Sequence, residues 1–104
     1  MKDVSNEERW QVMLVQARRF AEKESYVDAV ARARLVRDQM REARRQARGA
    51  DEVARLERSL VPVERELTGY EQQNTAWRER ITALARARRE GAEEEMRRPL
   101  PKPP

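Results

Sequence analysis

Of the side chains that do chemistry in proteins, this sequence withholds two outright: it has no His and no Cys. The usual general base, the usual metal ligand and any thiolate nucleophile are therefore missing. The carboxylates have simpler duties. Glu8 stands three residues after Ser5 in a capping box, Glu57 and Glu64 lie where basic partners are expected, and Glu93-Glu94-Glu95 reads as a solvated run. Twenty of the 23 basic residues are Arg, and Arg34, Arg41, Arg45 and Arg48 fall on the outer face of one helix. Such a stripe could meet phosphates by counterion release, yet no aromatic residues are interleaved with it, and net charge is only +4. No catalytic, cofactor-binding or metal-ligating residue is assigned, no cofactor is expected, and the chain reads as a non-enzyme.

Positioning falls to helices. Val53, Leu56, Leu60, Val63, Leu67, Tyr70, Asn74, Trp77, Ile81 and Leu84 recur at alternating spacings of three and four, a heptad seam whose one polar member is an Asn at an a position. Residues 26 to 50 carry a second seam in the same phase: Tyr26, Ala29, Ala33, Val36, Met40, Ala43, Ala47 and Ala50. Folding the chain back near Gly49 sets Ala47 against Leu56, Ala43 against Leu60, Met40 against Val63 and Val36 against Leu67, so small knobs mostly face large ones. The same antiparallel register brings Arg44 to Glu57 and Arg37 to Glu64. A parallel pair of long helices would set Glu52 against Glu57 and Glu66 against Glu71, which repel. Charge selects orientation while the seam supplies most of the stability, since each exposed pair is worth only ~0.2–1 kcal/mol.

A chain of 104 residues with 40% charged residues and three Gly suits an all-α fold better than a compact mixed one. The expected organisation is a disordered start over 1–4, one helical domain over 5–90 with helices at about 5–23, 26–48 and 51–90, and a charged, Pro-rich tail over 91–104. Helix 1 opens at the Ser5 cap and carries Trp10, Met13, Leu14, Ala17, Phe20 and Ala21, with Val12 and Val15 widening its stripe. Ser25 with Asp28 reads as a second cap. Val27, Ala31 and Leu35 give helix 2 a second apolar face, which helix 1 is expected to cover, leaving residues 37 to 63 as a two-helix arm. Pro62 should bend or break helix 3.

The order Ala17, Tyr26, Ala29 and Ala33 around a helix turn is similar to one tetratricopeptide unit. It covers under a third of the chain, helix 2 is longer than that repeat, and no second copy follows, so generic helix-pair packing accounts for it. In the tail, Arg98, Pro101 and Pro104 match a basic-x-x-Pro-x-x-Pro string that looks like a class I ligand of SH3 domains. The start lacks the layout of a signal peptide and no apolar run reaches a membrane span, so a cytoplasmic location is expected.

The reading is an antiparallel coiled-coil hairpin with an N-terminal helix completing a partial three-helix bundle. As an adaptor, assembly factor or structural subunit it would present apolar surface to a protein partner or to itself, through Trp10, Leu14, Ile81 and Leu84. The tip near Gly49 is a second candidate surface. The alternative is a nucleic-acid-associated helical protein using Arg34, Arg41, Arg45 and Arg48.

Overall fold

The computed structural model describes residues 5–97, and among them it is all-helical, with three helices and no strand: α1 (Asn6–Glu22), α2 (Tyr26–Gln46) and α3 (Ala50–Arg97). The chain divides into two units, one reaching to Asn74 and the other starting at Thr75, with α3 contributing to both.

In the first unit, α1 begins where the capping box places it: the Glu8 backbone N–H donates to Ser5 Oγ at 3.2 Å. It ends in a Schellman turn, with the Ser25 N–H donating to the Phe20 carbonyl at 2.8 Å and the Glu24 N–H to the Ala21 carbonyl at 3.0 Å. That turn puts Glu24 at φ 61°, a left-handed conformation that Gly adopts more readily. Ser25 does occupy the N-cap of α2, but its side chain makes no capping hydrogen bond. Its ψ of 67° differs from the extended geometry of Ser5, whose ψ is 155°, so the expected Ser25–Asp28 cap is not formed.

Two apolar clusters hold this unit together. One gathers Trp10 and Leu14 of α1, Val36 and Met40 of α2, and Leu56, Leu60 and Val63 of α3. The other gathers Ala17, Ala29, Val30, Ala33, Leu67 and Tyr70, with Phe20 and Ala21 against it. Three of these are Ala with no exposed surface, which lets helix backbones approach closely. Ion pairs give the directions. Arg44–Glu57, Arg41–Glu64 and Arg34–Glu71 link α2 to α3 with numbers falling on one helix as they rise on the other, so the two run antiparallel. Glu7–Arg55 and Arg18–Glu66 link α1 to α3 with numbers rising together, so these two run parallel.

Three expectations are corrected. Arg37 does not reach Glu64: it pairs with its neighbour Asp38, and Arg41, one turn on, takes Glu64 instead. Helix 1 does not cover Val27 and Leu35, which stay 55% and 43% exposed; it packs on the Ala29, Val30 and Ala33 side. Because α1 lies alongside Leu56 to Tyr70, the third helix also covers Val36 and Met40, so residues 37 to 63 are not a bare two-helix arm.

Pro62 lies inside α3 without ending it. Its missing N–H removes one helical hydrogen bond and its exposed position keeps the ring out of the core. Neighbours Leu60 and Val63 are buried and hold the helix on either side.

In the second unit α3 continues to Arg97, through Gly91 and the Glu93–Glu95 run, rather than fraying near residue 90. Ala85, Ala87, Ala92, Met96 and the Arg and Glu residues among them are all strong helix formers, which outweighs one Gly. From Arg78 to Arg97 every residue is exposed.

Candidate interaction surfaces

The polar side chains of the first unit mostly cross-brace helices. Glu66 on α3 takes three hydrogen bonds: Arg18 donates through Nε at 2.8 Å and through an Nη at 3.3 Å, and the Tyr70 hydroxyl donates at 2.6 Å. Burial first, and the adjacent Glu66 carboxylate second, push the Tyr70 hydroxyl well above the usual phenol range. The same carboxylate, chiefly through its hydrogen bond, raises the already high pKa of Arg18. Three turns toward the helix starts, Glu7 lies 3.5 Å from Arg55.

Between these two bridges runs a groove of about 420 Å³ along α1 and α3, floored by Trp10, Leu14, Met40, Leu56, Pro62 and Val63. Trp10 turns its indole N–H away from the groove, to Gln39 Oε1 on α2 at 2.9 Å. Within the groove the Arg18 guanidinium is already engaged with Glu66, and Arg55 lies beside Glu7. It is a clamp between α1 and α3. Among the described residues no group of three or more Cys, His, Asp or Glu side chains is placed to hold a metal ion.

The sequence-selected residues meet different fates. Trp10 and Leu14 are 5% and 4% exposed. They are core, not partner surface, because α1 lays this side over α2 and α3. Ile81 and Leu84 are 45% and 50% exposed and remain available. Arg34 lies 3.6 Å from Glu71, Arg41 lies 2.9 Å from Glu64, and Arg45 pairs with Glu42, so three of the four Arg of the outer face have carboxylates beside them, with Arg48 the exposed fourth. Arg98, Pro101 and Pro104 lie outside the described residues. The tip residue Gly49 is exposed, and no described Gly has a positive φ, so the turn does not use the freedom that Gly offers.

The brace of α1 on α3 escaped the sequence reading, although a signal was present. Glu7 and Arg18 are eleven residues apart, and so are Arg55 and Glu66. Eleven residues are about three helical turns, so each couple shares a face. Opposite charges at matching intervals on two helices mark a parallel pair.

Other apolar surface is also open. Val12 and Val15 on α1, Val27 and Leu35 on α2, and Val61 and Met96 on α3 are all exposed. No helix among the described residues is long and apolar enough to cross a membrane. No protein-family model, curated protein or solved structure matches the chain.

Proposed function

We propose that this is a non-enzymatic helical interaction protein, an adaptor, assembly factor or structural subunit. Its first unit is an antiparallel coiled-coil hairpin braced by α1, and its working surface is the distal part of α3. The observation that carries the reading is the fate of one heptad seam. Leu56, Leu60, Val63, Leu67 and Tyr70 are buried, whereas Ile81 and Leu84, in the same phase, are about half exposed on a continuous helix. A seam of this kind needs a facing helix, since without packing a helical face gains little. The Arg face of α2 supports the alternative phosphate-binding reading less well, because most of its charge is offset by Glu42, Glu64 and Glu71.

The test is the double substitution Ile81→Glu with Leu84→Glu. It should leave the thermal melting of the hairpin within about a degree while removing association with the partner helix, and that association should change little between low and physiological salt. Loss of the hairpin on substitution would assign these residues to the core instead. Binding that weakens steeply with salt would point to phosphate contacts.

A further inference from the structure

We propose that the facing helix is the same segment of a second copy of this chain, running antiparallel and centred near residue 86. The proposal rests on the distal part of α3 being a partner surface and goes on to name its occupant.

Charge order selects the occupant and the orientation. Residues 75 to 89 hold Arg78, Arg80, Arg86, Arg88 and Arg89 against Glu79, while residues 90 to 97 hold Glu90, Glu93, Glu94 and Glu95 against Arg97. This order does not serve the helix itself. Acidic groups near a helix C-terminus oppose the macrodipole, and the pairs Arg86 to Glu90 and Arg89 to Glu93 run basic before acidic, the weaker direction. A second copy laid antiparallel answers the outer part of this order, because residues 75–82, with Arg78 and Arg80, then face residues 90–97, with Glu90, Glu93, Glu94 and Glu95, while Arg86, Arg88 and Arg89 lie at the centre. A parallel copy would set like charge on like.

The heptad phase then fixes the register. Antiparallel seams set a positions against d positions. Matching Ile81 with the second chain's Leu84 would stack residues 75–82 on 83–90, placing Arg78 and Arg80 near Arg86, Arg88 and Arg89. Shifting by one heptad places Ile81 on Gly91 and Leu84 on Arg88, and brings Arg80 to Glu94 twice by symmetry. Arg88 lies at an a position, where its stem covers Leu84 and its guanidinium reaches water.

Gly91 gives a second, independent indication. It lies within α3 in ordinary helical conformation, with nothing within 4 Å of where a Cβ would be. Gly is the poorest helix former after Pro, and among the described residues no neighbour lies close enough to require it here. In the proposed register it is the small partner that accepts the bulk of Ile81, much as Ala43 and Ala47 pack against the cluster that holds Leu56 and Leu60.

The absence of native Cys makes the register measurable with single thiols. In the full chain, Ala85→Cys lies beside its own twin and should be joined by a short bis-maleimide. Glu95→Cys lies about 27 Å from its twin, eighteen residues along the helix, and should not be joined. Sedimentation equilibrium of the unmodified chain should give twice the 12.3 kDa chain mass. Arg80→Glu should weaken the dimer at least tenfold, and adding Glu94→Arg should restore it. Far-ultraviolet circular dichroism confirms that each variant keeps its helices. Crosslinking at residue 95 equal to that at residue 85, or failure of the charge exchange to rescue, overturns the register. A strictly monomeric chain overturns the self-pairing. If Ile81→Glu with Leu84→Glu still abolishes binding of a different protein by that monomer, the interaction reading survives on its own; if there is nothing to abolish, both fall.

Discussion

Two stretches of one helix meet opposite environments. Between Leu56 and Tyr70 the heptad positions of α3 are buried, braced by ion pairs to both other helices; between Arg78 and Arg97 the same phase continues with no residue buried. Helical periodicity therefore states that a face is made for packing but does not state what packs there. The first stretch finds its partners within the chain because α1 and α2 supply Ala and Val of matching size. The second carries a basic stretch followed by an acidic one and has no buried residue between Arg78 and Arg97.

The sharpest contrast should come from truncating one seam residue in each stretch. Leu67→Ala removes a side chain that is 3% exposed and should cost about 2–5 kcal/mol in urea melts. Ile81→Ala, measured at concentrations where the chain is monomeric, should cost less than about 0.5 kcal/mol. Equal losses at the two sites would erase the distinction.

A smaller effect separates the stretches by pH. Tyr70 is held neutral by burial and by donating to Glu66, so its pKa in the folded chain lies above the unfolded value of about 10. The group thus contributes stability that is complete below pH 10 and is lost as pH rises further toward its folded value. Urea midpoints should fall between pH 9 and pH 11, and Tyr70→Phe should flatten that dependence. An unchanged slope in the Phe variant would remove Tyr70 as its cause.

Two gains of about 0.5–1 kcal/mol are expected within the packed unit. Glu24→Gly relieves the left-handed residue in the Schellman turn. Gly69→Ala adds a methyl to a helical site where nothing lies within 4 Å of a Cβ. Thermal melts check both. A loss on Gly69→Ala would mean that a neighbouring helix needs the close approach. The buried Asn74 Oδ1, which has no hydrogen-bond partner, predicts a last and comparable gain for Asn74→Leu.

How much of this could be read from the chain depends on the range of the signal. The three helices, the Ser5 cap and the hairpin turn follow from local pattern, and the Arg44–Glu57 pair follows from register. The placement of α1 did not. Its stripe was wide enough to fit either side of α2, and hydrophobicity alone favoured Val27 and Leu35 over the Val30 side that it covers. Close approach decided otherwise, since Ala17, Ala29 and Ala33 together allow backbones nearer than a Leu would. Trp10 and Leu14 read as partner surface in the sequence because a sticky helix looks the same whether its cover comes from its own chain or another. Arg37 was matched by heptad position, but Asp38 beside it is nearer than Glu64 across the seam. Ile81 and Leu84, on the same heptad phase, are about half exposed.

The most direct test is amide hydrogen exchange along α3 at two protein concentrations. At low concentration, residues 56 to 72 should be strongly protected and residues 80 to 96 should exchange close to the rate of a fraying helix. At high concentration, protection should rise in the distal stretch alone, centred near residue 86. Uniform protection along α3 at low concentration, or a distal stretch indifferent to concentration, would contradict the account.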